Sequence, residues 1–241
     1  MAYQAIFKRY EMKYMLTKAQ KWRLLAAMAP YMALDQYGRT TICNLYFDTD
    51  SYRLIRRSLE KPAYKEKLRV RSYGTATERC PVFVELKKKY EDVVYKRRIS
   101  MPHREAVAWL SGRTGAPETQ ITREIDYVRG YYEGLRPVVF LSYEREAYFS
   151  RDGSDFRVTF DENILCREDH LTLTDGVWGT PILGEDRVLM EIKTPGGIPL
   201  WMTRFLTREH IYKTSFSKYG TAYSTLIFPE LQKQEGERKY A

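Results

Sequence analysis

Charged and apolar side chains alternate one for one through many short stretches of this chain. In an extended strand successive side chains point to opposite faces, so Lys67, Arg69 and Arg71 share one face and Leu68 and Val70 the other. The same alternation recurs at Arg9-x-Glu11-x-Lys13, Glu85-x-Lys87, Lys96-x-Arg98, Tyr143-x-Arg145, Arg157-x-Thr159-x-Asp161 and Glu191-x-Lys193. Tyr10, Met12, Tyr14, Leu86, Val158, Phe160, Met190 and Ile192 interleave them. One such strand is an ordinary half-buried sheet face with its polar side in water. Seven of them, mostly basic, predict strands surrounding a charged interior. That is an α+β fold: a closed β-barrel with a polar, basic lumen and helices packed outside it.

Taken in order, residues 5–14 read as the first strand. Thr17 then caps a helix over Lys18–Met28, with Gln20 completing a capping box and Trp22, Leu25 and Met28 or Ala29 on its apolar side, before Pro30. A strand follows at 40–49, then a helical segment from Asp50-Ser51-Tyr52 to Glu60, broken by Pro62. The Lys67–Tyr73 strand comes next, and after a turn at Gly74–Arg79, Val82–Tyr90 and Asp92–Met101 form a hairpin bent near Glu91. Helices are predicted at His103–Leu110 and Pro117–Tyr132, and strands at Val138–Ser150 and Phe156–Asp161 across the Asp152-Gly153 turn. Asn163–Thr174 is irregular, and Asp175-Gly176 marks a turn. Val188–Thr194 is the last strand, ended by Pro195-Gly196-Gly197, and helices at Leu200–Glu209 and Lys218–Phe228 close the chain. The polar tail 232–241 is expected to fray. Without repeat or linker, residues 1–241 read as a single domain.

Composition narrows the partners. The 241 residues carry 40 Lys and Arg against 31 Asp and Glu, a net charge of +9 that favours an anionic partner. Twenty tyrosines suit strands and a wet interior. Cys43, Cys80 and Cys166 are odd in number and widely spaced, which suggests neither a disulfide framework nor a zinc site. No apolar signal core opens the sequence and no apolar run reaches the roughly 20 residues of a membrane span. A cytoplasmic protein with no transmembrane segment is expected.

If the inward residues share one lumen, it holds Arg9, Lys13, Lys67, Arg69, Arg71, Lys87, Lys96, Arg98, Arg145, Arg157 and Lys193 against Glu11, Glu85, Asp161 and Glu191. So many cations need a compensating anion or water. A linear polyphosphate or a nucleotide triphosphate supplies that charge, gripped by Arg in paired hydrogen bonds and by Lys as a point charge. Phosphoryl transfer needs positioning and charge neutralisation, commonly with a divalent ion on the phosphate oxygens. Glu191 is the first choice for holding Mn²⁺ or Mg²⁺, with Glu11, Glu85 and Asp161 behind it; for each, a salt bridge to a neighbouring cation is the competing role.

An ordered set of motifs carries a family resemblance. Arg9-Tyr-Glu11-Met-Lys13-Tyr14, Leu45-Tyr-Phe-Asp48-Thr49, Lys67-Leu-Arg69-Val-Arg71-x-Tyr73, Glu85-Leu-Lys87, Lys96-x-Arg98, Ser142-Tyr143-Glu144-Arg145, Arg157-Val-Thr159-Phe-Asp161, Glu191-Ile-Lys193 and Ser215-Phe-Ser217-Lys218-Tyr219 follow one another over nearly the whole chain. Each alone is weak. Together they resemble the VTC-type polyphosphate polymerase domain, a branch of the triphosphate tunnel metalloenzymes (the CYTH superfamily). The resemblance implies an eight-stranded antiparallel tunnel that takes ATP and passes its γ-phosphate to a growing inorganic polyphosphate chain. It implies phosphate contacts from Lys13, Arg69, Arg71, Lys87, Arg145, Arg157 and Lys218, a metal on Glu191, Tyr143 near the nucleotide, and Ser217 at the phosphate. Lys193 joins the catalytic cations, and Arg9, Lys67, Lys96 and Arg98 the substrate-binding ones. Wider members of the superfamily often carry Glu-x-Glu-x-Lys in the first strand. Arg9 in the first glutamate's place favours the polymerase branch. Transport of product would fall to a separate membrane protein.

Other readings compete. A tunnel triphosphatase would use the same residues with water as acceptor. A polyphosphate sensor would bind without turnover, against which the intact Glu191 argues. Nucleic-acid binding through Tyr73, Tyr90 and Tyr95 requires an exposed groove, and an enclosed lumen excludes stacked bases, so no nucleic-acid partner is expected. His103, His170 and His210 are scattered surface or helix-end residues without metal-ligand spacing. Pro195-Gly196-Gly197 lacks the Gly-Lys-Ser/Thr of a phosphate loop. Trp22, Trp109, Trp178 and Trp201 read as packing residues.

Overall fold

The structure is a computed structural model that describes residues 10–91 and 93–240. Arg9 therefore lies outside the described residues. Among the described residues there are eleven strands: β1 (Tyr10–Thr17), β2 (Met32–Leu34), β3 (Thr40–Asp48), β4 (Tyr64–Tyr73), β5 (Pro81–Tyr90), β6 (Val93–Pro102), β7 (Arg136–Ser150), β8 (Arg157–Arg167), β9 (Thr180–Pro181), β10 (Arg187–Thr194) and β11 (Lys213–Thr214). The helices are α1 (Lys18–Met28), α2 (Arg53–Leu59), α3 (His103–Leu110), α4 (Gln120–Tyr131), α5 (Leu200–Arg208), α6 (Lys218–Ala222) and α7 (Phe228–Tyr240).

Chain contacts divide the molecule into two compact units. Among the described residues the first comprises 10–41, Tyr143–Ile164 and Leu183–Phe216, the second Ile42–Ser142, Leu165–Ile182 and 217–240. Strand order in the first is β11-β1-β10-β8-β7, with β2 also on β7; in the second it is β7-β3-β4-β5-β6, with β9 on β8. The apolar side of β1, β8 and β10 (Tyr14, Val158, Phe160, Met190, Ile192) packs with Leu24 and Met28 of α1 and Phe205 of α5. In the second unit Leu68, Val70, Val84 and Leu86 pack with Trp109 of α3 and Ile125 of α4. Val139, Leu141 and Tyr46 pack with Ile55 of α2 and Tyr219 of α6. In both units helices cover the apolar strand faces, and the charged side chains lie on the opposite face of the same strands.

The expected closed eight-stranded barrel is corrected. Eight strands are long, but β2, β9 and β11 add two- and three-residue pairings, and among the described residues no ladder joins β6 back to β11. The short strands come from segments with no period-two alternation, so nothing in the pattern marked them. β11 makes Val188–Thr194 no longer the last strand: it pairs at Lys13↔Thr214 and Tyr14↔Lys213. β4 begins three residues early, at Tyr64, and β8 runs on to Arg167 through part of the stretch expected to be irregular. After α6 a π-helical turn, Tyr223–Ile227, leads into α7, so the tail expected to fray is helical through Tyr240.

The Thr17 capping box is present, with Gln20 N donating to Thr17 Oγ1 at 3.1 Å and Thr17 N to Gln20 Oε1 at 2.9 Å. The buried side of α1, however, is Lys21, Leu24 and Met28, while Trp22 is 72% exposed. Lys21 can occupy a buried position because it pairs with Glu146 and Glu162. Of the four tryptophans read as packing residues, Trp109 is buried and Trp201 stacks on Tyr31, but Trp22 and Trp178 are exposed. No helix among the described residues is long and apolar enough to cross a membrane.

Candidate functional site

Each unit carries its own constellation on the charged strand face. In the first, the ladders β1–β10–β8 set two rungs, Glu11–Lys193–Arg157 and Lys13–Glu191–Thr159. Glu191 is buried, with Lys193 at 3.6 Å, Lys13 at 3.7 Å and Arg145 at 3.9 Å. Lys13 also lies 3.4 Å from Glu11 and donates to the Phe216 carbonyl at 3.0 Å. Arg145 grips the fully buried Asp161 with two hydrogen bonds of 2.6 Å, and its guanidinium lies 5.2 Å from the centre of the Tyr143 ring. Burial would strip the proton from Arg145, but Asp161 outweighs it and raises the pKa well above the ordinary value, fixing the cation. Arg157 stands apart from this group. It pairs with Asp155 at 3.1 Å over the Phe149 ring.

Lys193, Lys13 and Arg145 stand 3.6 to 3.9 Å from the Glu191 carboxylate. Thr159, its ladder partner, is buried with an Oγ1 that lacks a hydrogen-bond partner. One carboxylate facing one hydroxyl suits a hard divalent ion that draws its remaining oxygens from phosphate and water. A cage built wholly from protein does not fit, because no group of three or more His, Cys, Asp or Glu side chains among the described residues is arranged to hold a metal.

The second unit centres on Glu85, 1% exposed on β5. Arg69 and Lys96 each approach it to 2.7 Å, Arg98 to 3.4 Å and Arg71 to 3.9 Å. Desolvation would raise the Glu85 carboxyl, but the charges of Arg69, Arg71 and Lys96 prevail and hold it far below the usual carboxylate range. Lys96 is pushed down to about 8, first by desolvation and then by Arg71 and Arg69, against the pull of Glu85. The rung Tyr46–Arg69–Glu85–Arg98 is followed by Lys67–Lys87–Lys96, three cations abreast, of which Lys96 reaches back to Glu85. Lys67 donates to Ser217 Oγ at 3.0 Å, and Ser217 also caps α6, whose first residue is Lys218. Glu85 and Asp161, which were reserve metal ligands in the sequence, thus stand as counter-ions to arginines, and Glu11 sits beside Lys13.

Three functional positions carried no role in the sequence reading. Tyr46 OH accepts from Arg69 at 2.9 Å and Asn44 Oδ1 from Arg71 at 3.0 Å, which fixes both guanidiniums. Asp48, fully buried, accepts from the backbone N–H groups of Thr49, Leu54 and Ile55 and, at 3.0 Å, from Tyr219 OH. It thereby ties the start of α2 to α6, and with it Ser217. The signal was available, since Asn44, Tyr46 and Asp48 alternate with Cys43, Leu45 and Phe47.

Comparison with known proteins bears on this geometry. A family model described as the VTC domain matches residues 8–227. No curated protein sequence matches the chain. A candidate adenylyl cyclase from Hippeastrum, described as having a dominant triphosphatase activity, superposes with a TM-score of 0.57 at 16% identity, over 89% of this chain and 94% of its own. A candidate adenylate cyclase from Bacillus halodurans superposes with a TM-score of 0.54 at 15% identity, over 89% and 96%. At such identities these two share the fold with this chain.

Proposed function

Since the chain belongs to the VTC domain family, we propose that it is an ATP-dependent polyphosphate polymerase. A terminal oxygen of the polyphosphate chain attacks the γ-phosphorus of ATP, the bond to the β-phosphate oxygen breaks, and ADP leaves. The observation that carries this reading is the cluster of Arg69, Arg71, Lys96 and Arg98 on Glu85 with Lys67 and Lys87 one rung on, a density of positive charge that a linear phosphate chain neutralises. Arg69 and Arg71, held by Tyr46 and Asn44, present preorganised donors to phosphate oxygens. Lys87, Lys96, Arg98 and Lys67 supply charge beside them, and Ser217 with Lys218 completes the group.

In the first unit Lys13, Arg145 and Lys193 surround Glu191 and offset charge developing on the transferred phosphoryl group. Glu191, with Thr159 opposite, would hold Mn²⁺ or Mg²⁺, which supplies further neutralisation of phosphate oxygens when bound. Tyr143 orients Arg145, and Arg157 reaches substrate only after leaving Asp155.

A tunnel triphosphatase is the second reading, favoured by the activity ascribed to the Hippeastrum protein of the same fold. The test is incubation with ATP and Mn²⁺ or Mg²⁺, following ADP, free phosphate and long polyphosphate separately. Polymer matching ADP supports the polymerase. Free phosphate without polymer selects the triphosphatase. Tight polyphosphate binding without turnover would overturn both in favour of a sensor.

A further inference from the structure

A second concave site lies against α3, which packs its Trp109 on the apolar side of β4 and β5, away from their charged face. The turn before β5 docks on the start of this helix: His103 N donates to the Cys80 carbonyl and Arg104 N to the Glu78 carbonyl, both at 2.9 Å. Past the other end, Gly112 takes φ +77° and the chain doubles back. The N–H groups of Arg113 and Thr114 then donate to the Ala108 carbonyl at 2.9 and 3.3 Å. Turn, helix face and returning loop line a groove of about 490 Å³, within the size range of small-molecule sites, in which Val107 and Ala108 are the apolar wall.

The polar groups of this groove are unspent. His103 is 7% exposed, and its Nδ1 is buried with no hydrogen-bond partner among the described residues. Burial pushes the imidazole below its ordinary pKa against the pull of Glu78, so near pH 7 the ring is neutral and offers one donor and one acceptor. Arg113 Nε donates to Ser111 Oγ at 3.0 Å, and among the described residues neither Arg113 nor Arg104 pairs with a carboxylate. Two guanidiniums against Glu78 leave one positive charge in excess.

We propose that this groove binds a small monocarboxylate that has an apolar body and a hydrogen-bond donor. The carboxylate meets Arg113 within reach of the long Arg104 side chain, and its single charge restores neutrality. The apolar body covers Val107 and Ala108. The donor meets Glu78 and the imidazole, about 7–8 Å along the helix axis from Ala108 to His103. A phosphate dianion would bring one charge too many beside Glu78 and leave the apolar wall uncovered. None of these residues belongs to the phosphate-handling groups, so the proposal stands or falls apart from the function proposed above.

N-acetylleucine is a probe of this class, and N-acetylleucinamide has the same body without the charge. Each is titrated into the full chain labelled at histidine, and the His103 imidazole signals are followed by NMR. His170→Asn and His210→Asn, both at exposed positions, assign those signals by elimination. N-acetylleucine should shift them to saturation with a Kd of roughly millimolar size, as expected for about a dozen non-hydrogen atoms. The amide and inorganic phosphate should bind at least about tenfold more weakly, and Arg113→Gln should weaken N-acetylleucine by about tenfold or more. Arg104→Gln supplies the same measure should Arg113→Gln disturb the loop. A shift that does not saturate, an amide or phosphate that binds as well, or full affinity in both arginine variants overturns the proposal.

Discussion

Glu85→Gln isolates the electrostatic design of the second unit. The substitution keeps the shape of a side chain that is 1% exposed and removes its charge. Arg69, Arg71, Lys96 and Arg98, all within 3.9 Å of it, then repel one another with that charge removed. Removing one partner of a buried ion pair costs about 3–5 kcal/mol. The side chains of Arg98 and Lys96 remain 29% and 43% exposed, so water screens part of the repulsion and the lower end applies. A loss of about 3 kcal/mol in a chain of this size lowers Tm by roughly 6–12 °C. The sign with pH is fixed by the depressed Glu85 pKa. Its stabilisation is present above the ordinary value of 4.5 and is lost as pH falls from there toward the folded-state value. The variant should therefore show a flatter stability profile below about pH 5. Tripolyphosphate should also raise the Tm of the variant more than that of the wild type, because a bound anion replaces the missing carboxylate. Thermal unfolding followed by circular dichroism across pH, with and without ligand, reads all three effects. An unchanged Tm together with equal ligand stabilisation would refute the claim that Glu85 holds these cations.

Glu191→Gln should abolish metal-dependent turnover while phosphate affinity is retained, since Lys13, Lys193 and Arg145 remain; full activity in that variant would remove Glu191 from the mechanism. With Lys96 at about 8, polyphosphate affinity should fall as pH rises through that value, and Lys96→Arg should abolish the fall. A binding profile that is flat from about pH 7 to 9 in the wild type would contradict this. Tyr219→Phe removes one donor from Asp48 and should cost about 1.5–3 kcal/mol in denaturant unfolding. No loss would mean that the three backbone donors already satisfy the carboxylate.

The long strands were legible because their alternation is chemically extreme: a lysine or arginine at every second position cannot face the apolar core. The same logic put Glu191 and Lys193 on one strand face, and the register of β1 on β10 then brings Lys13 beside Glu191. It did not reveal that Asp161 would be spent on Arg145 or that Arg157 would turn to Asp155, because ion-pair choice depends on rotamers and distances that no pattern encodes. The buried side of α1 was misjudged by one position for a related reason. Hydrophobicity favoured Trp22, whereas the acids Glu146 and Glu162, far away in sequence, made Lys21 the residue to bury. Barrel closure was beyond reach as well, because it depends on whether edge strands meet, and the alternation within each strand is indifferent to that.

Transfer of label tests the central claim most directly. The protein is given ATP labelled at the γ-phosphate, Mn²⁺ or Mg²⁺ and an unlabelled polyphosphate primer, and the label is followed at early times. The account predicts label entering the long polymer in step with ADP release, at a position that an exopolyphosphatase removes first. Label found wholly in free phosphate, with the primer unlabelled, would contradict it.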